Sequence, residues 1–209
     1  LNVLEDFNPI IPEKIKNTEI AFLANVDPIL QKKAIQQFTN PKLVILDSMN
    51  FWIEHKLDDL KETIKIVDIL IINDQEIRQL TGISNIVAAM QAVLKMGPKR
   101  IVVKKGENGS VMYNGKDYFF CPAVPLEKVI DTTGAGDSFA GAFSGYLSGV
   151  DELSEEAFKK AVIVGTLVSS FTVQDFSVDS LKTVNKQMLE EKYDIWKKYV
   201  SMPDAIGIS

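Results

Sequence analysis

Four near-continuous apolar runs punctuate the first half of the chain: EIAFLANV (Glu19 to Val26), KLVILD (Lys42 to Asp47), VDILIIN (Val67 to Asn73) and RIVVKK (Arg100 to Lys105). Short runs without polar alternation suit strands covered on both faces, as in a parallel sheet. Between them the apolar positions take helical spacing. Pro28 to Phe38 repeats through Leu30, Ala34, Ile35 and Phe38, and Ser84 to Met96 opens on an N-cap residue and stops at Gly97-Pro98. The alternation predicts a layered α/β fold with a mostly parallel central sheet.

After Lys105 the rhythm changes. SVMYNGKDYFF (Ser110 to Phe120) reads as two extended runs around Asn114-Gly115, a strong hairpin signal. Gly136 to Gly149 then reads as a helix, with Phe139, Ala142, Phe143, Tyr146 and Leu147 on one face and Ala140, Gly141 and Gly145 small enough for close packing. Glu155 to Phe171 predicts a second long helix through Phe158, Ala161, Val162, Gly165, Val168 and Ser169, and Leu181 to Tyr199 a charged amphipathic one. No internal repeat or low-complexity tract interrupts this order.

Composition narrows the function classes. A chain of 209 residues fits a single domain over 1–209, and 46% apolar residues suffice for a sizeable core. A net charge of -5 argues against a nucleic-acid partner, whose footprint would be basic. One cysteine, Cys121, cannot close an intrachain disulfide and suits a reducing, cytoplasmic setting, most simply as a small buried hydrophobe. One histidine, His55, excludes a histidine metal cluster, and no nucleophile elbow accompanies it. No apolar run reaches the ~18 to 20 residues of a membrane span, and no signal-peptide pattern is visible. The chain opens on Leu1, in LNVLEDFNP, which raises the expectation that it is a portion of something longer.

Three stretches could carry chemistry. In DTTGAGDSFAGAF (Asp131 to Phe143), a glycine-alanine-glycine turn at a helix start presents backbone N–H groups to an anion. Asp137 beside it is either a carboxylate favoured by the helix dipole or a base for a substrate hydroxyl, with the turn holding a transferred phosphoryl group. NDQE (Asn73 to Glu76) lies at the carboxyl end of the third strand, the edge where ligands bind in open α/β sheets. It reads either as a capping box or as an amide and carboxylate that orient water around magnesium or a phosphate oxygen. KKGENGS (Lys104 to Ser110) is either a strand-to-hairpin turn or a loop, with Lys105, Gly106 and Gly109, that passes close to a nucleotide, although it lacks the P-loop spacing.

Taken in order, strand-NxxE, strand-KxGxxG, hairpin and DTTGAGD-helix resemble the ribokinase-like (PfkB-type) carbohydrate kinases over roughly Glu19 to Gln174. The stretch Asp131 to Phe143 is similar to that family's C-terminal signature. The resemblance implies a Rossmann-like three-layer α/β/α fold without its lid sheet. It also implies ATP-dependent phosphorylation of a sugar or nucleoside hydroxyl with Mg2+, and a homodimer where a lid mediates one. By position, Asp137 resembles the catalytic base, and Gly134, Ala135 and Gly136 the anion hole. Asn73 and Glu76 match the phosphate and magnesium-water motif, and Lys105, Gly106 and Gly109 the nucleotide loop. Asp131 and Thr133 fall where many members hold a monovalent cation such as K+. DSMNFW (Asp47 to Trp52) resembles a strand-end segment of the family with one extra residue, and carries no role over. Two departures stand out. The early strands with a Gly-Gly pair and an acceptor-binding aspartate have no counterpart, and the adenine-side asparagine is replaced by the helix AVIVGTLVSSF. A non-catalytic nucleotide or effector module on the same fold is the alternative. A dinucleotide oxidoreductase is disfavoured, because no G-x-G-x-x-G follows the first strand.

Overall fold

A computed structural model describes residues 7–201. The expected single domain over 1–209 therefore includes residues 1–6 and 202–209, which lie outside the described residues, as does the start of LNVLEDFNP. Six strands form one sheet in sequence order: β1 (Ile20–Leu23), β2 (Leu43–Asp47), β3 (Ile69–Asn73), β4 (Arg100–Lys104), β5 (Ser110–Tyr113) and β6 (Tyr118–Cys121). β1 to β4 pair in parallel, while β4–β5 and β5–β6 are antiparallel. The parallel strands are linked by α1 (Pro28–Ile35), α2 (Asn50–His55), α3 (Leu57–Ile64), α4 (Asp74–Thr81) and α5 (Ile86–Leu94). After β6 come α6 (Ala135–Ser148), α7 (Glu155–Thr172) and α8 (Lys186–Tyr199).

Two apolar cores sandwich the sheet. Strand alternation sends Val44, Leu46, Leu70, Ile72, Ile101 and Val103 to one face, where they pack with Trp52, Leu60, Ile64, Ile77 and Met90 of the crossover helices. The other set, Leu43, Ile45, Ile69, Ile71 and Val102, packs under Phe139, Phe143, Phe158 and Val162 of α6 and α7. This is the expected three-layer architecture. All six strands of the described residues belong to the one central sheet, and none forms a separate lid.

Element ends shift by a few residues for identifiable reasons. α5 is capped by Asn85, whose Oδ1 accepts from Ala88 N, rather than by Ser84. α8 starts after Asn185, and Leu181 belongs to a short 3-10 turn instead of the helix. The Asn114-Gly115 turn forms, but its connection runs from Asn114 to Asp117, with Asn114 Oδ1 accepting from both Lys116 N and Asp117 N. Periodicity did not pick out α2 and α3, whose junction at Lys56 interrupts any continuous pattern.

Candidate active site

The carboxyl ends of β2, β3 and β4 finish on polar residues, and the period of two decides where these point. Asp47 continues the row of Leu43 and Ile45, Asn73 that of Ile69 and Ile71, and Lys104 that of Val102. All three therefore lie on the α6–α7 face, side by side, and the β3–β4 register sets Asn73 against Lys104. Lys104 Nζ stands 3.5 Å from Asp47 Oδ1, with side-chain exposures of 19% and 7%.

α6 begins directly over this row. Gly134 takes the left-handed conformation at φ 77°, which suits a residue without Cβ, and no side chain caps the helix start. By contrast, Asn73, Asn85, Ser154 and Asn185 cap α4, α5, α7 and α8. The Ala135 N–H of α6 turns back to Thr132 O at 3.2 Å, which leaves those of Gly136 and Asp137 to an outside acceptor. Gly136 faces the sheet so closely that a Cβ would come within 2.9 Å of Lys104 Nζ. Asp137, in the first turn, is exposed. Its position is held from behind, because Gly165 lets α7 approach α6 so closely that a Cβ there would lie 3.0 Å from Phe139.

Asn73 and Glu76 form a reciprocal capping box. Asn73 Oδ1 accepts from Glu76 N at 2.8 Å, and Glu76 Oε2 accepts from Asn73 N at 3.0 Å. The capping reading of NDQE is therefore correct as geometry, and it leaves the second Glu76 oxygen for other partners. Burial raises the Glu76 carboxyl above the usual range, against the pull of the Asn73 backbone and Lys104, with Asp47 adding to the rise. Asp47 is likewise raised, first by burial, while Lys104 opposes and the charge of Asp137 adds. The carboxylates of Asp47, Glu76 and Asp137 thus share one field with a single lysine inside it. Among the described residues no three acidic, histidine or cysteine side chains converge as a metal-ligand set. One or two carboxylates with water and phosphate oxygens is how Mg2+ is commonly held, and Glu76 with Asp47 fits that donor type.

The remaining candidates lie around this centre. Lys105 follows the end of β4, and its N–H closes the turn to Gly109 O at 2.7 Å; it is Lys104 that enters the site. Gly106 is left-handed at φ 56° in open space, so its backbone is approachable. Gly109 serves packing: a Cβ there would lie 2.1 Å from Cys121 O. Asp131 accepts from Thr133 N at 2.9 Å, which lowers its pKa, and the adjoining Ile130 N reaches Val173 O at the end of α7. Cys121 is buried as expected, and burial pushes its thiol up to about 11. Sequence reading missed Asp47 and Lys104. Their signal was positional, since each is the last residue of an apolar strand run.

A profile of the pfkB family of carbohydrate kinases matches residues 21–184, and the chain belongs to that family. It is similar to a nucleoside kinase of Methanocaldococcus jannaschii, 30% identical over 161 residues that make up 76% of this chain and 50% of that one. It is also similar to a cytidine kinase of Thermococcus kodakarensis, 29% identical over 66% of this chain and 51% of its relative. The chain thus spans about half the length of these curated relatives. Among solved structures, the M. jannaschii nucleoside kinase, described as an archaeal member of the ribokinase family, superposes with a TM-score of 0.73 at 25% identity, over 93% of this chain and 60% of that one. A fructokinase from Vibrio cholerae shares the fold at a TM-score of 0.72 and 19% identity, over 88% of this chain and 62% of that one.

Proposed function

We propose that the chain is the nucleotide-binding and catalytic portion of an ATP-dependent kinase for a sugar or nucleoside hydroxyl. The observation that carries this reading is the uncapped α6 start, with Asp137 in its first turn, set over the Asp47–Asn73–Lys104 row. In the reaction, the acceptor oxygen forms a bond to the γ-phosphorus of ATP. The bond from that phosphorus to the bridging oxygen breaks, ADP leaves, and Asp137 takes the hydroxyl proton. The N–H groups of the Gly134–Ala135–Gly136 turn hold the oxygens of the moving phosphoryl group. Gly106, beside Lys105 and Gly109, lets the backbone approach the nucleotide.

Magnesium, when bound, would neutralise charge on the phosphate chain, and Glu76, with Asp47 close by, would hold it through water. The Asp131–Thr133 turn is the proposed place for a monovalent cation such as K+. Among the described residues no helix is long and apolar enough to cross a membrane. The relatives are named for kinases of nucleosides and sugars, which supports those acceptor classes.

The test is transfer of radiolabelled γ-phosphate from ATP to a panel of nucleosides and sugars, with the unaltered chain beside Asp137→Asn. Labelled product from the first and almost none from the second is expected. Equal transfer by both would remove Asp137 as the base. ATP binding without transfer to any acceptor would favour the nucleotide-binding module instead.

A further inference from the structure

Lys104 occupies an unusual place. It is the last residue of a central strand, its side chain is largely covered, and it points at the helix start where the foregoing reading puts the transferred phosphoryl group. Its one carboxylate neighbour within salt-bridge range among the described residues, Asp47, sits at 3.5 Å, long for an ion pair that could have closed to hydrogen-bond contact. The rest of its shell is polar or small. Asn73 lies beside it across the β3–β4 register, the field of Lys104 reaches Glu76, and Gly136 has no Cβ to exclude it. A methyl group on Gly136 would meet the ammonium at 2.9 Å and Lys104 Cε at 3.9 Å, and nothing nearer. Gly136 therefore does two things: it bares a backbone donor, and it keeps open the space through which a lysine from the neighbouring strand reaches the turn.

We propose that Lys104 is a phosphate-contacting catalytic residue, and that Gly136 is glycine because only hydrogen at that position admits the Lys104 ammonium to the turn. The inference rests on the kinase reading above and adds a residue pair to it. As the oxygen–phosphorus bond to the acceptor forms and the bond to ADP breaks, the hydroxyl proton goes to Asp137. Lys104 contributes positive charge beside the equatorial oxygens. Asp47 holds the ammonium near the turn when no phosphate is present, loosely enough to release it. Asp47 and Glu76 face Lys104 from β2 and α4, and Asp137 lies in the first turn of α6, so a single cation stands among three carboxylates until a phosphate chain arrives.

The experiment is a double-mutant cycle on the whole chain: Lys104→Met, Gly136→Ala and the two combined. ATP, ADP and AMP binding are read by calorimetry with magnesium, and phosphoryl transfer on the acceptor panel. Lys104→Met should lower turnover about 100-fold, the scale seen when one oxyanion donor is removed. It should also weaken ATP binding while leaving AMP binding nearly unchanged, a split that a merely structural lysine would not cause. Gly136→Ala should reproduce much of the turnover loss in the unaltered background. In the Lys104→Met background it should add little, because the group it displaces is already gone. Losses that multiply fully, or a Lys104→Met chain with unaltered ATP binding and turnover, would overturn the pairing. The two readings also fail separately. Lys104-dependent ATP binding in a chain that transfers nothing would sink the kinase reading alone. Transfer indifferent to Lys104 would sink this inference alone.

Discussion

The two ends of the central sheet treat their charges in opposite ways. At the amino end of β2 to β4, Asp68 accepts from Val44 N at 2.9 Å and pairs with Lys99 at 2.7 Å, while its carbonyl takes the N–H groups of Lys99 and Arg100. Arg100 there pairs with Glu155 and lies 3.9 Å over the ring of Phe158, and Asn114 donates to the other Glu155 oxygen. Each carboxylate is answered at close range. At the carboxyl end, Asp47 and Glu76 are buried and raised, the Lys104–Asp47 ion pair is stretched, and the helix start above is uncapped. One end answers its carboxylates with its own partners, and under the proposed kinase reading the other leaves its charges for a ligand. Sites held ready for charge tend to be locally costly in this way.

Substitutions at the two ends should therefore separate activity from stability. The largest effect expected is on Asp137→Asn, which should lower phosphoryl transfer about 1000-fold with little change in thermal midpoint, measured by transfer kinetics beside a melting scan. Next is Gly165→Ala on α7, between the two ends. Its methyl would press on Phe139 and push α6 off its seat, at a cost of about 1–3 kcal/mol in a denaturant titration, with turnover falling as the turn shifts. Arg100→Ala at the settled end should cost about 1 kcal/mol, from the lost ring contact and ion pair, and leave the Michaelis constant for ATP unchanged.

The smallest effect, and the sharpest on the comparison, concerns pH. Asp47 has a raised folded pKa, so the folded state binds its proton more tightly than the unfolded chain. The stability this confers is complete below the ordinary carboxylate range and is lost as pH rises through the raised value. Asp47→Asn removes that loss. Thermal midpoints of the variant at neutral pH should equal or slightly exceed those of the unaltered chain, even as ATP turnover drops. A clearly lower midpoint would mean that Asp47 is held as tightly as Asp68.

Much of this arrangement was legible in the chain. β-branched runs marked β2, β3 and β4 to within a residue or two, because continuous apolar stretches have few other uses in a sheet covered on both faces. The turn at Gly134 to Asp137 was readable because consecutive small residues at a helix start leave its backbone N–H groups bare. Lys104 was the harder case. Two lysines stand in sequence at the end of β4, strand alternation sends them to opposite sides, and choosing between them requires knowing which face α6 covers. That is settled by helices some thirty residues downstream (α6 begins at Ala135), through Phe139 and Phe143 packing on Ile45 and Ile71. Asp47 was hidden for the same reason. For Gly109 the sequence left a hairpin turn and a nucleotide loop side by side, and its clearance of the Cys121 backbone depends on a β5–β6 register that no local spacing reveals.

The sheet order also bears on how the chain acquires its site. β4, β5 and β6 are joined by short connections and pair as neighbours, so they can zip up from local contacts. The parallel pairs β1–β2, β2–β3 and β3–β4 each wait for a helical crossover to close, a slower kind of event. Asp47, Asn73, Lys104 and Gly136 come from four such separately placed segments. A partly folded form that holds only the β4–β6 meander would contain none of their mutual geometry. Nucleotide binding by this chain would then register completed folding of the parallel sheet, and during refolding it should return in step with the slowest phase rather than with the first burst of strand formation.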